Sequence, residues 1–297
     1  YLSDRRHFFD CLEQSIHMDI DKKSEIQLSS ALRRYSQHHP LQAVSCNYWY
    51  DCGNVDNYYS AKSRLLNVRD FNSVHVNQTL GILTKHSNHF DKIANEVQWY
   101  LNLPKELQVL SPRVLDYSLA KGKSVGSFIS LEYYGYNTLA EVWLYQRLHP
   151  DIWKTILNHI LRVVDLFRSY PGNLSKNDFF EMYWTKTAKR LREQASQGLE
   201  WDNLINHMDN ISINGVRYSN FPKIKRKIRQ YVPQLFRIED VTVVHGDLCF
   251  SNILYDVNNH LIKLIDPRGS FGRMGIYGDI KYDLAKLRHS IAGNYDF

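Results

Sequence analysis

The sequence contains few cysteines, and their spacing argues against two kinds of protein. Cys11, Cys46, Cys52 and Cys249 are the four cysteines among 297 residues. They show neither the paired spacing of a zinc site nor the density of a disulfide-stabilised secreted domain. A reducing cytoplasm is the setting that this cysteine content predicts.

Long apolar runs are also missing. No uncharged stretch reaches the length of a transmembrane helix, and the first residues lack the charged-then-apolar order of a signal peptide. Repeats, low-complexity segments and long Gly/Pro/Ser linkers are absent too. With 43% hydrophobic and 23% charged residues, the chain can bury a sizeable core divided over two lobes or domains.

Positive charge is in modest excess, with a formal net charge of +6. This value suits an anionic nucleotide as a partner, and nucleic acid is not expected. The densest basic run, residues 223–229, interleaves Ile224 and Ile228 at helical spacing, which is typical of a charged helix face. A surface for RNA, for an acidic partner or for the rest of a larger enzyme is the alternative interpretation.

The segment 243–269 contains three polar residues in the order that metal-dependent phosphoryl transfer requires. Asn252 follows Asp247 by five positions and Asp266 follows it by nineteen. Such transfer needs a carboxylate near the attacking hydroxyl and ligands that hold Mg²⁺ against the nucleotide phosphates. Residues 253–255 and 261–265 are predicted strands around the turn 256–259, so Asn252 and Asp266 should face one cleft.

These residues, V-V-H-G-D-L-C-F-S-N at 243–252 and I-D-P at 265–267, resemble the aminoglycoside phosphotransferase and choline kinase superfamily. The resemblance implies an α+β, two-lobed protein-kinase-like fold, with a small β-rich N-lobe carrying one key helix and a larger, mainly helical C-lobe. It implies ATP and Mg²⁺ as cofactors, Asp247 as the catalytic residue, and Asn252 and Asp266 as metal ligands. Gly246 and Pro267 differ from protein kinases and favour small-molecule substrates.

The stretch Gly278–Ala285, G-D-I-K-Y-D-L-A, resembles a segment of the same superfamily in which an Asp braces the active-site loops. Asp283 is therefore expected to support the loops, and Asp279 to be either support or a polar cleft residue. His245 is expected to brace the catalytic loop through hydrogen bonds rather than act as a base. Arg268 is expected to contact phosphate or a carboxylate.

A kinase also needs a lysine for the phosphates and a glutamate that positions it. Lys85 lies near the end of the second of two predicted strands within 73–87. The helix predicted over 88–103, with Asn88 as its N-cap and Pro104 as its stop, places Glu96 within reach of Lys85.

The segment Phe128–Tyr134 reads as a buried strand that leads into a hinge between the lobes. Backbone groups from Glu132 to Tyr134 are the candidates for hydrogen bonds to adenine, with a tyrosine ring packed nearby. A core strand with two interfacial tyrosines is the alternative. The expected Gly-rich phosphate loop is missing, because residues 67–73 contain no glycine, and Arg69, Asn72 and Ser73 are the substitutes considered.

Residues 26–62 resemble the closing part of a sugar-phosphate nucleotidyltransferase through W-Y-D-C-G-N at 49–54. In that pattern Asp51 would be a metal ligand, although Asn54 replaces the usual Thr. An aromatic turn without function is the alternative. The resemblance implies that the chain is part of a larger nucleotidyltransferase and kinase fusion, or a kinase that retains such a tail.

The predicted organisation is a nucleotidyltransferase-like tail or helical extension at 1–62, a kinase N-lobe and hinge at 63–136, and a C-lobe at 137–297. Within the C-lobe, one helix is predicted over 151–170, and another begins with a capping box of Ser175 and Asp178 and runs to about residue 197. The predicted function is transfer of the γ-phosphoryl group of ATP to a hydroxyl of a sugar or amino alcohol, in the supply of cell-surface polysaccharide precursors. The alternative is a catalytically weak kinase-like module that binds nucleotide as a scaffold or regulator.

Overall fold

The computed structural model describes residues 4–19, 28–42, 44–46, 49–50, 52–53, 57–58, 61, 72–120 and 126–296. The chain forms two compact units, Tyr1–Ala61 and Lys62–Phe297. None of the helices among these residues is long and apolar enough to cross a membrane.

The first unit contains two helices, α1 (Arg5–Asp19) and α2 (Leu28–Tyr35). Its small core is formed by Phe8, Cys11, Ala31 and Tyr35, and the Tyr35 hydroxyl accepts a hydrogen bond from the Asp4 N–H at 2.9 Å. Asp51, the metal ligand suggested for the tail, lies outside the described residues. The nucleotidyltransferase-like tail therefore stays a prediction.

The second unit begins with an antiparallel sheet of four strands in the order β1-β2-β4-β3. The strands are β1 (Asn72–Asn77), β2 (Ile82–Ser87), β3 (Val114–Ser118) and β4 (Ser127–Glu132). The predicted pair of strands within 73–87 is the β1–β2 hairpin, in which Val74 pairs with Lys85. Arg69 and the side chains of Asn72 and Ser73, considered for phosphate contact, lie outside the described residues.

One amphipathic helix, α3 (Phe90–Asn102), packs on this sheet through its buried face, which includes Ile93 and Val97. The prediction that Asn88 caps this helix is wrong. His89 occupies the N-cap without a side-chain hydrogen bond, and its N–H donates to the Ser87 Oγ at 3.1 Å. The contact with the end of β2 thus determines where the helix begins. The capping preference of single residues does not predict such a contact. The short helix α4 (Lys105–Gln108) follows Pro104.

The rest of the unit is mainly helical. Its helices are α5 (Leu139–Tyr145), α6 (Pro150–Arg168), α7 (Lys176–Phe180), α8 (Lys186–Ala195), α9 (Leu199–Asp202), α10 (Phe221–Tyr231) and α11 (Ile280–Gly293). The predicted capping box of Ser175 with Asp178 begins α7. The helix predicted from there to about residue 197 is interrupted, because a π-helical turn at Glu181–Thr185 separates α7 from α8. The basic run 223–229 lies on the mostly exposed helix α10.

Short strands complete this part of the chain. They are β5 (Asn137–Thr138), β6 (Asn210–Ile213), β7 (Val216–Ser219), β8 (Val241–Val243), β9 (Ile253–Asp256), β10 (Leu261–Leu264), β11 (Ser270–Phe271), β12 (Arg273–Met274) and β13 (Tyr277–Asp279). The predicted hairpin after Asn252 is β9–β10, in which Ile253 pairs with Leu264. Its residues Ile253, Leu254 and Tyr255 are buried, as a strand in the core requires.

A hydrophobic core runs through the described part of the second unit and includes Val97, Ile160, Ile253 and Leu264. Within it the buried Trp99 donates from its Nε1 to the Val244 carbonyl oxygen at 2.8 Å. This bond ties α3 to the chain that leaves β8. The small sheet with one long helix and the larger helical part confirm the predicted α+β, kinase-like fold class.

Candidate active site

The chain turns sharply after β8, at His245-Gly246-Asp247, and a buried carboxylate holds that turn. The Asp283 side chain accepts hydrogen bonds from the His245 N–H at 2.6 Å and from the Gly246 N–H at 2.8 Å. Gly246 has a φ of 79°, and a Cβ there would lie 2.8 Å from the Arg268 Cβ. Asp283 therefore fixes the backbone immediately before Asp247, which is the supporting role expected of it.

Asp279 also acts as support. It is the N-cap of α11, where its side chain accepts from the Lys281 N–H at 3.1 Å, and the Tyr183 hydroxyl donates to its other oxygen at 3.0 Å. Its residual exposure is 2%. A carboxylate buried and bonded in this way joins the start of α11 to the π-helical turn, so Asp279 is not a polar cleft residue.

His245 is completely buried, and its Nε2 lies 3.0 Å from the Ile265 carbonyl oxygen. Because a carbonyl oxygen only accepts, Nε2 carries the proton. Burial lowers the pKa of His245 to about 4, so the ring is neutral at physiological pH. His245 joins the catalytic loop to the strand end before Asp266, as a brace rather than a base.

Asn252 holds Asp247 in place through its side-chain amide. The Asn252 Nδ2 donates to the Asp247 carbonyl oxygen at 2.9 Å and lies 3.4 Å from its Oδ2. On the other side the Lys286 Nζ lies 2.8 Å from the Asp247 Oδ1, and an Arg268 nitrogen lies 3.8 Å from the same oxygen. The carboxylate therefore points between an amide and two cations.

Asn252 and Asp266 lie side by side, as their place at either end of the β9–β10 hairpin predicts. The Ile265 N–H donates to the Asn252 carbonyl oxygen at 3.0 Å. Asp266 comes next, with a φ of 55° and a side chain that is 51% exposed. A left-handed conformation at a non-glycine residue is uncommon, and strained residues of this kind cluster at active sites and ligand-binding sites.

These two side chains fit a magnesium site. Mg²⁺ prefers oxygen ligands and usually binds through one or two carboxylates together with substrate phosphates and water. The accessible carboxylate of Asp266 and the side-chain oxygen of Asn252, whose Nδ2 already faces Asp247, supply such ligands. In the described part of the chain no group of three or more His, Cys, Asp and Glu side chains could hold a metal.

Lys85 and Glu96 form the ion pair that their positions on β2 and α3 suggest. The Lys85 Nζ lies 2.9 and 3.1 Å from the two Glu96 oxygens and also contacts the Asp266 Oδ1. Burial lowers the pKa of Lys85, but the two carboxylates more than offset it and hold that pKa above its usual value. Lys85 therefore stays charged between the helix and the predicted metal ligand.

Two backbone donors of the predicted hinge already have partners within the protein. The N–H of Glu132 donates to the Arg113 carbonyl oxygen at 3.0 Å, and the N–H of Tyr133 donates to the Gly81 carbonyl oxygen at 2.8 Å. These two donors serve the protein, so adenine recognition here would use the Tyr134 N–H or the carbonyl oxygens. The Glu132 side chain accepts from the Arg113 Nε at 2.6 Å and from the Tyr134 hydroxyl at 2.9 Å.

Sequence reasoning missed two lysines near Asp247. Lys286 lies on α11 one turn after Asp283, so both side chains share the helix face that contacts the catalytic loop. The supporting role expected of Asp283 was therefore a signal that could have identified Lys286. Lys186 begins α8, directly after the π-helical turn. No local sequence pattern predicts the position of Lys186. It depends on the π-helical turn before it, which the spacing of apolar residues does not reveal.

Comparison with known proteins places these residues in a family. No curated protein matches the chain. Among solved structures, the crystal structure of an aminoglycoside-3′-phosphotransferase of type VIII is similar, with 16% identity, a TM-score of 0.41, and coverage of 80% of this chain and 86% of that one. The model of the phosphotransferase enzyme family matches residues 69–295, which include the whole arrangement from Lys85 to Lys286. The chain therefore belongs to the phosphotransferase enzyme family.

Proposed function

We propose that this phosphotransferase uses ATP and Mg²⁺ to transfer the γ-phosphoryl group to a hydroxyl of a small molecule, a sugar or an amino alcohol. The observation that carries the proposal is the contact of Lys85 with both Glu96 and Asp266. This contact places the Lys85 ammonium, which would bind the phosphates, against Asp266, the predicted metal ligand. Both lie beside the loop that carries Asp247. Positioning and charge neutralisation of this kind account for most of the catalysis of phosphoryl transfer.

Each side chain has a distinct task in this proposal. Asp247, accepting from Asn252, orients the acceptor hydroxyl and takes its proton. Asn252 and Asp266 hold Mg²⁺, which when bound neutralises charge on the transferring phosphoryl group. Lys85 neutralises phosphate charge, and Glu96 keeps the Lys85 ammonium in place. Tyr134 and the carbonyl of Glu132 are the groups left for the adenine.

We also propose a biosynthetic setting. The resemblance of residues 26–62 to the end of a nucleotidyltransferase supports fusion of two activating steps, such as those that supply precursors of a cell-surface polysaccharide. The four cysteines are all free, which supports a reducing cytoplasm as the location.

ADP formation with a panel of acceptors tests the function. Sugars, sugar phosphates, choline and ethanolamine would each be supplied with Mg-ATP to the full chain and to Asp247→Ala. We expect acceptor-dependent ADP release that the substitution lowers by about two to four orders of magnitude, the usual contribution of a general base. Matched Mg-ATP binding by the two proteins would show that the loss is in transfer.

A nucleotide-binding scaffold or regulator is the alternative outcome of the same experiment. Tight binding of Mg-ATP without turnover on any acceptor would favour it over catalysis. Release of pyrophosphate that depends on Asp51 would instead indicate nucleotidyl transfer by this chain, which we do not expect.

A further inference from the structure

Cations outnumber carboxylates around Asp247. Lys286 and Arg268 approach its Oδ1 at 2.8 and 3.8 Å, and their side chains are only 18% and 20% exposed. The same Arg268 also donates from its Nε to the Gly246 carbonyl oxygen at 2.7 Å, so its place is fixed by the loop itself. The Asp247 carboxylate thus faces two partly buried cations, while the nearby Asp283 is completely buried and accepts from the His245 and Gly246 N–H groups.

Lys186 adds a third cation without a carboxylate of its own. No carboxylate of the described residues lies within ion-pair distance of it, and its Nζ is 3.9 Å from the Met182 sulfur. Burial, together with the charges of Arg268 and Arg190, lowers the pKa of Lys186 to about 8, and the charge of Asp247 opposes this shift. An ammonium held partly desolvated among like charges costs free energy unless an anion offsets it.

A cavity of about 440 Å³ lies along α11, and Lys286 is the member of this cation group that lines it. Because Lys286 also contacts Asp247, this side chain connects the cavity with the carboxylate that would take the acceptor proton. Its lining residues are Tyr282, Ala285, Lys286, Arg288, His289, Ala292 and Gly293. Three of these side chains are basic, and none of the described residues that line the cavity carries a carboxylate.

The position of these cations separates them from the nucleotide phosphates. Lys85, from the β-rich lobe, already stands beside the predicted metal ligand Asp266. Lys186 and Lys286 both come from helices of the mainly helical lobe. Lys286 contacts Asp247, and the charges of Arg268 and Asp247 act on Lys186. Since the proposed function places the acceptor hydroxyl at Asp247, the excess of positive charge lies on the acceptor side.

We infer that the acceptor is itself an anion, a small hydroxyl compound that carries a phosphate or carboxylate group bound by Lys186, Lys286 and Arg268. The inference rests on the proposed function. In the transfer step the acceptor oxygen forms a bond to the γ-phosphorus, the bond between this phosphorus and the bridging oxygen breaks, ADP leaves, and the hydroxyl proton passes to Asp247. An amino alcohol would place its own positive charge against this cluster and is disfavoured.

Binding of matched probes tests the inference. The full chain would be saturated with Mg²⁺ and a non-hydrolysable ATP analogue, which occupies the nucleotide phosphate site, and titrated calorimetrically with glycerol, ethanolamine, glycerate and glycerol 3-phosphate. We expect the two anions to bind about tenfold or more tighter than glycerol, as about 1.4 kcal/mol from partly desolvated ion pairs implies. The two anions also distinguish a carboxylate site from a phosphate site.

Substitutions assign the effect to the cluster. Lys186→Met and Lys286→Met should each weaken anion binding by about tenfold, a larger loss than either causes for glycerol, and Lys186→Arg should restore most of the affinity. Lys189→Met is the matched control, because Lys189 lies on the same helix but its 70%-exposed side chain pairs with Glu193. Thermal unfolding of each variant would verify that it is folded.

The possible results distinguish failure of the acceptor assignment from failure of the proposed function. Glycerol or ethanolamine binding as tightly as the anions, or anion binding that survives both methionine variants, would overturn the acceptor assignment alone. Anion binding to the loaded protein with no ADP formed on any acceptor would overturn the proposed function and the acceptor assignment together. Preferential turnover of the anions, lost in the lysine variants, would support both.

Discussion

His245 and Asp283 are titratable side chains buried completely beneath the catalytic loop. Burial raises the pKa of Asp283 to about 7, in spite of two hydrogen bonds from backbone N–H groups, and lowers the pKa of His245 to about 4. Neither group reaches solvent. Their protonation therefore acts on the position of Asp247 through the loop, and a pH change affects folding stability as well as chemistry.

The depressed pKa of His245 predicts a pH-dependent contribution to stability. Between its ordinary value of 6.5 and about 4, the unfolded chain binds a proton that the folded chain excludes. The contribution is complete above pH 6.5 and falls by about 1.4 kcal/mol per pH unit as the pH drops. His245→Gln, which keeps a donor for the Ile265 carbonyl oxygen, should lack this slope.

Urea unfolding at several pH values would measure it. The difference in free energy of unfolding between wild type and His245→Gln should shrink from pH 7 to pH 4.5. The comparison must be made at each pH, because Asp283, with its raised pKa, shifts the stability of both proteins in the opposite direction. A difference that is constant with pH would contradict the account.

Lys85 and Glu96 should contribute unequally to turnover. Lys85→Met removes the phosphate-binding charge, and we expect kcat/KM for Mg-ATP to fall by about two to three orders of magnitude. Glu96→Gln leaves Lys85 charged and in contact with Asp266, so a smaller loss of about tenfold is expected. Steady-state kinetics would measure both.

Lys92→Met serves as the control for this pair, since Lys92 lies on the exposed face of the same helix α3. Its kcat/KM should stay within about twofold of wild type, as expected for a solvated surface charge. Full activity in Lys85→Met would refute the role assigned to the Lys85 ammonium.

Helix α3 and the loop after Asp266 pack backbone to backbone. Gly269 has a φ of 61°, and a Cβ at this position would lie 1.9 Å from the Asn95 carbonyl oxygen of α3. Asn95 directly precedes Glu96. The absence of a side chain at Gly269 therefore lets the loop that carries Asp266 approach the helix that positions Lys85.

A pair of glycine substitutions separates close approach from backbone strain. Gly81→Ala, in the β1–β2 turn with a φ of 64° and no atom within 4 Å of the added Cβ, should cost about 1–2 kcal/mol of left-handed strain. Gly269→Ala adds a steric clash with helix backbone and should cost about 2–5 kcal/mol. Chemical denaturation of both variants checks the difference, and equal costs would rule out the tight contact.

Elements with a local signal could be predicted from the sequence. The β1–β2 and β9–β10 hairpins, helix α6 and the capping box at Ser175 follow from apolar periodicity and turn residues. The π-helical turn at 181–185 and the start of α3 at Phe90 depend on contacts with distant segments, which periodicity does not contain. The same limit hid Lys186, whereas Asp247, Asn252 and Asp266 were identified by their spacing together with the resemblance to the aminoglycoside phosphotransferase and choline kinase superfamily.

The chain consists of two compact units, and every residue of the proposed kinase active site belongs to the second one, Lys62–Phe297. The phosphotransferase family match, residues 69–295, covers nearly the same span. The proposed chemistry is therefore a property of this unit. For the preceding residues, a nucleotidyltransferase-like role stays a prediction that rests on the pattern around Asp51.

The fate of labelled phosphate tests the central claim most directly. The full chain and Asp247→Asn would be incubated with ATP labelled in the γ-phosphoryl group and with a mixture of neutral, cationic and anionic hydroxyl compounds. We expect the label on an acceptor with the wild-type protein, and about 10²–10⁴-fold less of it with Asp247→Asn. Label recovered in pyrophosphate, or transfer that is unaffected by the substitution, would contradict the account.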